Sequence, residues 1–191
     1  MNMKKTNLLA AVMLTLTGFI SKAQPMSIDV KKSTIKWIGK KIGGQHEGTI
    51  QFRSGALEWE GNQIKDGSFV VDMHSIACTD LTNETYNGKL VGHLKSDDFF
   101  GVEKHPSATL TVSSSGPFID GVAKVNGQMT IKGKMQFISF DLKKNKSGYT
   151  ARLELDRSLY DVRYGSKSFF DSLGDKAIDD IFILEVQLVM N

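Results

Sequence analysis

The residues able to do chemistry are few and scattered along the chain. Four histidines are present, His46, His74, His93 and His105. No two share a helical face, and neither H-x-H nor H-E-x-x-H occurs, so the spacing signals no metal centre. Asp97-Asp98 is the best carboxylate pair, since adjacent carboxylates raise each other's pKa and can serve acid–base work. Their place at the end of a helical stretch, just before Phe99-Phe100, accounts for them more simply as capping and loop acceptors. No G-x-S-x-G elbow or Ser/His/Asp constellation is legible. The one cysteine, Cys78, can form no internal disulfide. With only His74 near it in sequence, it reads as a buried thiol rather than a nucleophile. Arg163-Tyr164-Gly165-Ser166-Lys167-Ser168 gathers two cations and two hydroxyls around a glycine, a composition suited to an anion, with Arg163, Ser166 and Lys167 as contacts. It is no P-loop, because the first glycine and a βαβ context are missing. The sequence therefore carries no catalytic residues, no metal site and no cofactor motif.

The elements that position these groups alternate with period two between turns of glycine, asparagine or aspartate, which predicts consecutive antiparallel strands and an all-β fold. Ile35-Trp37 is followed by Gly43-Gly44 and then Ile50-Phe52, a hairpin. Leu57-Trp59 and Phe69-Val71-Met73 give two more strands. Ala108 to Val112, Ala123 to Ile131, Ile138 to Leu142, Ala151 to Leu155 and Phe182 to Leu188 complete about eight or nine, and closing them into a barrel removes exposed edges. Glu84 to Ser96 breaks the pattern, with Tyr86, Leu90, Val91 and Leu94 at helical intervals and Thr82 or Asn83 as N-cap. Ser158 to Ile178, longer than a hairpin needs, holds a short helical turn before the last strand. Alternation turns Trp37, Ile50, Phe52, Phe69, Val71, Leu110, Val125, Met129, Phe140, Leu153 and Leu184 inward, where they would line an apolar pocket. Inward residues that are small or flexible, such as Gly48, Ala108, Gly127 and Met73, fit a hollow interior or an ordinary loosely specified core.

Lys4-Lys5 and the apolar run Leu8 to Ile20 form the start of a signal peptide, 1–23, cleaved between Ala23 and Gln24. The run falls short of the ~20 residues of a permanent span, so no lasting membrane anchor is expected, and a periplasmic or secreted location is. Residues 24–191 then form one domain. The formal net charge is +3. Lys4, Lys5 and Lys22 leave with the leader, so the remainder is near neutral and no nucleic-acid partner is indicated.

His93-Leu94-Lys95-Ser96-Asp97-Asp98-Phe99-Phe100, continuing Val102-Glu103-Lys104-His105-Pro106, is similar to the helix-to-strand segment of the YceI-like family of exported bacterial proteins. Ser33-Thr34-Ile35-Lys36-Trp37 and Met129-Thr130-Ile131-Lys132-Gly133 support the match, which spans nearly all of the mature chain. Departures fall at Lys32, at Gly101 and His105, and at Lys134-Met135-Gln136. The resemblance implies an extended eight-stranded, lipocalin-like antiparallel barrel with one inserted helix and no known catalytic residues. It implies a binding protein that sequesters or carries an isoprenoid, quinone or fatty lipid, and it is compatible with a homodimer. Two rival readings remain. One is a lipid-acting enzyme using His93 or His105 with Asp97 or Asp98. The other is an interaction module with a filled core that presents Phe99, Phe100, Phe169 and Phe170.

Overall fold

The computed structural model describes residues 25–191; the expected leader and its cleavage site lie outside them. The chain forms β1 (Met26–Ser27), β2 (Thr34–Lys41), β3 (Gly44–Glu60), β4 (Gln63–Cys78), α1 (Glu84–Lys95), β5 (Ser107–Ser115), β6 (Val122–Ile131), β7 (Lys134–Asn145), β8 (Gly148–Asp156) and β9 (Ile178–Leu188). Strands β2 to β9 pair antiparallel in the circular order β3-β2-β9-β8-β7-β6-β5-β4, and the β4–β3 pairing closes the barrel. The expected eight-stranded barrel with one helix is the fold observed. The two-residue β1 prolongs the wall beyond β2, with Met26 opposite Leu57 and Ser27 opposite Ala56 on β3.

Length distinguishes β3 and β4 from the other strands. Gly48–Phe52 and Leu57–Trp59 read as separate strands in the sequence, but they belong to one 17-residue strand. At about 3.3 Å per residue it runs about 55 Å. The register shift at Phe52/Ser54, which falls between those two stretches, explains the misreading. An extra residue in one strand reverses which parity faces inward. Thus Gly48, Ile50 and Phe52 are buried before the shift and Leu57 after it, so the shift imitates a turn.

Helix α1 starts where the sequence places it. The Asn83 side chain accepts the Tyr86 N–H at 3.1 Å, and the Ser96 N–H closes the last turn on the Gly92 and His93 carbonyls. Leu94 is its buried residue. Gly101 follows at φ +57°, with its Cβ position 3.3 Å from an Asp97 oxygen, so this departure from the family pattern sits where a side chain would be strained. Between β8 and β9 lie a 3-10 turn at Arg157–Tyr160 and another at Gly174–Lys176, the latter being the expected turn before the last strand. Among the described residues no helix is long and apolar enough to cross a membrane.

Candidate functional site: an apolar lumen in two chambers

The inward side chains enclose two cavities in series. The inner chamber, about 70 Å³, is lined by Phe52, Phe69, Val71, Leu110, Val125, Met129, Phe140, Leu153 and Leu184, together with Ile35, Leu57, Ile64, Val112, Leu142, Ala151, Val186 and Leu188. Thr109 is its one residue bearing a side-chain polar atom. The outer chamber, about 120 Å³, is lined by Trp37, Ile50, Val71 and Leu184 of the expected set, and by Ile38, Met73, Ile76, Ile131, Ile178 and Phe182. Leu94, Phe99 and Phe100 from α1 and the turn after it complete its roof. Ile35, Val71 and Leu184 line both chambers and form the waist between them. All eleven residues that alternation turned inward therefore border one chamber or the other.

The inward glycines do not create the space. A Cβ on Gly48 would collide with the Ala77 carbonyl and lie 2.6 Å from the Trp37 ring, and one on Gly127 would lie 2.6 Å from the Thr111 carbonyl. These glycines let neighbouring groups approach closely. Over Gly48 the Trp37 indole donates to the Ala77 carbonyl at 3.1 Å. At the far end of the barrel Trp59, Phe118 and Tyr149 pack with ring centroids 5.5 to 5.8 Å apart. Burial raises the Tyr149 hydroxyl above its ordinary pKa.

The outer chamber has one charged wall that the sequence did not reveal. Arg157, 2% exposed, donates from Nε to the Asp179 carbonyl at 3.0 Å, from Nη1 to Val162 at 3.0 Å and Tyr164 at 2.8 Å, and from Nη2 to Ile178 at 3.0 Å. Nη2 also lies 3.3 Å from Asp180, and the guanidinium sits over the Phe99 ring at 5.5 Å. Burial lowers its pKa, and Asp180, Asp156 and Asp179 oppose that fall. With its donors spent on backbone carbonyls, Arg157 fastens the Ser158–Ile178 segment to the barrel rim. No spacing rule marks it, because its partners are carbonyls that any residue could supply.

The other candidate polar residues are dispersed. Ser166 is fully buried and its hydroxyl accepts the Ser168 N–H at 3.1 Å. Arg163 pairs with Asp161 and covers the Phe169 ring at 5.0 Å, and Lys167 is exposed. Arg163 lines an open groove of about 480 Å³ with Asp97, Asp98, Lys132, Asp161 and Lys176. Asp97 and Asp98 face this groove, whereas Phe99 and Phe100 face the chamber. That placement corrects the reading of Phe99 and Phe100 as exposed aromatics: Phe99 is buried and Phe100 half-buried, while Phe169 and Phe170 are exposed. His93 packs edge-on against Tyr164 at 4.3 Å and Phe99 at 5.9 Å, with its Nε2 buried and unpartnered. Asp97 pairs with Lys104, which holds its carboxyl below the usual range. Among the described residues neither His93 nor His105 hydrogen-bonds to Asp97 or Asp98.

Cys78 is buried and donates to Asp80 at 3.2 Å; burial pushes its pKa up. Asp80 also accepts the Glu47 N–H at 2.9 Å and pairs with His46 at 2.8 Å. Burial opposes ionisation of Asp80, but those hydrogen bonds prevail and hold its pKa at about 2. This knot ties the end of β4 to the start of β3. Among the described residues no cluster could hold a metal ion.

A closed antiparallel barrel with a helix across one end and an almost wholly apolar lumen is a lipocalin-like architecture. Residues 26–190 match the YceI-like domain, and the chain belongs to that family. No curated protein matches it. Among solved structures it is similar to BcnA of Burkholderia cenocepacia, at 22% identity and TM-score 0.68, covering 86% of this chain and 99% of that one. A polyisoprenoid binding domain from Saccharophagus degradans implicated in plant cell wall breakdown gives 14% and 0.62, over 87% and 97%. The YceI protein of Campylobacter jejuni gives 18% and 0.53, over 99% and 98%.

Proposed function

We propose that this chain is an exported, periplasmic or secreted binding protein that sequesters or carries a long apolar amphiphile, of the polyisoprenoid, quinone or fatty-lipid class, inside its barrel, without catalysing a reaction on it. The observation that carries the reading is the paired chambers joined at Ile35, Val71 and Leu184, whose lining gives a polar ligand almost nothing to bond. Such a lumen selects for chain length and apolarity, since each buried methylene contributes about 0.8 kcal/mol. A polyisoprenoid as ligand is also consistent with what the Saccharophagus neighbour is named for.

The chambers set a condition on binding. An apolar cavity of about 150 Å³ holds a single benzene ring, so chambers of about 70 and 120 Å³ admit a long chain only as side chains move aside. Met129 in the inner chamber and Met73 in the outer are unbranched and adapt their shape at little cost. The head group would remain at the α1 end, near Arg163 and Lys167, with Ser166 holding that loop in shape.

A chain-length series tests the reading. Isoprenoid alcohols of increasing length, competing with a fluorescent fatty acid, should bind more tightly with each added unit until both chambers fill. Leu184→Trp, which plugs the waist, should abolish the gain beyond the shortest members. Affinity independent of length would overturn the proposal.

A further inference from the structure

The barrel wall is incomplete at one seam. Strands β7 and β8 pair only beside their hairpin, from Asn145 opposite Gly148 to Leu142 opposite Ala151. Beyond that point β7 continues on β6 as far as Lys134 and β8 continues on β9 as far as Asp156, without pairing to each other. Every other neighbouring pair of the eight barrel strands runs further. Neither unpaired stretch contains proline or glycine, so nothing in the residues forbids a ladder there. If the hairpin register continued, Phe140 would face Leu153 and Ile138 would face Leu155.

A groove of about 520 Å³ occupies this break. Phe140 and Leu153 line both the groove and the inner chamber, so the partition between lumen and solvent is one layer of side chains. The 3-10 turn at Arg157–Tyr160 lies at the groove's end, where the Gln136 side chain donates to the Leu159 carbonyl at 2.9 Å. Phe137 is 77% exposed, with Leu159 and Ile181 also exposed, and all three line the groove. Exposed large apolar side chains gathered around an opening mark a contact with something apolar.

We infer that the β7/β8 break is a lateral portal through which the apolar chain of the ligand passes between Phe140 and Leu153 into the inner chamber. The inference rests on the binding reading above. The ends of the lumen are packed, one by Trp59, Phe118 and Tyr149, the other by α1 with Phe99 and Phe100. At the break the strands can part without losing ladder hydrogen bonds, so this is the segment of wall that opens at least cost.

The test is a tie across the break. In a Cys78→Ala chain, Ser139→Cys and Glu154→Cys place thiols on the outward faces of β7 and β8, to be joined after folding by a short bismaleimide. Lys36→Cys with Thr49→Cys, opposite each other on the paired β2 and β3, gives the control tie. Stopped-flow fluorescence with cis-parinaric acid, a polyene fatty acid, should show uptake and release slowed tenfold or more by the β7/β8 tie, with Kd changed less than threefold and the control tie without effect. Unchanged rates in the tied chain would overturn the portal while leaving the binding reading in place. No uptake by the untied chain would overturn both.

Discussion

The inner chamber is walled by strands whose apolar residues recur at every second position, while the outer chamber is roofed by a helix, a turn and an irregular segment held by one buried arginine. The first arrangement distributes its stability over many interchangeable contacts. The second concentrates it in a few groups whose partners are backbone carbonyls. Substitutions should therefore be tolerated gradually in the inner wall and abruptly at the roof.

The largest expected effect follows from that concentration. Arg157→Leu strands the carbonyls of Asp179, Val162, Tyr164 and Ile178 and should cost about 3–5 kcal/mol in denaturant unfolding. Val112→Ala in the inner wall, at 2% exposure, should cost about 2 kcal/mol. Equal costs would erase the contrast between the two regions.

Next in size, Gly48→Ala drives a methyl group against the Ala77 carbonyl and the Trp37 ring and should cost about 1–3 kcal/mol. On the neighbouring strand a Cβ at Gly39 meets nothing within 4 Å, so Gly39→Ala should stay within about 0.5 kcal/mol. A thermal melt of the two variants side by side separates close approach from mere strand membership.

Smaller still is a pH effect. Asp80 has a folded pKa of about 2 against an ordinary 3.8. Its contribution is therefore fully present above pH 4 and lost as pH falls from 4 through 2. Solvent access limits it to about 1 kcal/mol. Asp80→Asn should remove that part of the acid sensitivity, read as a flatter midpoint-against-pH profile between pH 4 and 2.

The smallest effect is expected at Tyr160, whose buried hydroxyl has no hydrogen-bond partner. Burial and the nearby Asp156 push its pKa up to about 12. Ionisation of this hydroxyl therefore costs the fold nothing below pH 10, and stability falls as pH rises from 10 through 12. Tyr160→Phe should leave stability at pH 7 unchanged or raise it by about 1 kcal/mol.

The same contrast explains what the sequence disclosed. Period-two alternation located the eleven inward residues because every one of them lies on a strand with one apolar face. The start of α1 was legible from Asn83 and from the spacing of Tyr86, Leu90 and Leu94. The continuity of β3 was hidden because a register shift after Phe52 reverses parity as a turn would. Arg157 was hidden because a guanidinium that binds carbonyls leaves no complementary residue type to find. Phe99 and Phe100 follow two aspartates in a loop, and nothing local indicates that the chain folds them under the helix. The β7/β8 break is invisible because both stretches alternate as paired strands do.

Native mass spectrometry of the protein purified from its native cells, with extraction and identification of whatever dissociates, tests the central claim most directly. The account predicts a co-purifying isoprenoid or lipid of defined mass at one per chain. A bare chain that also takes up no added quinone or polyprenyl compound would contradict it.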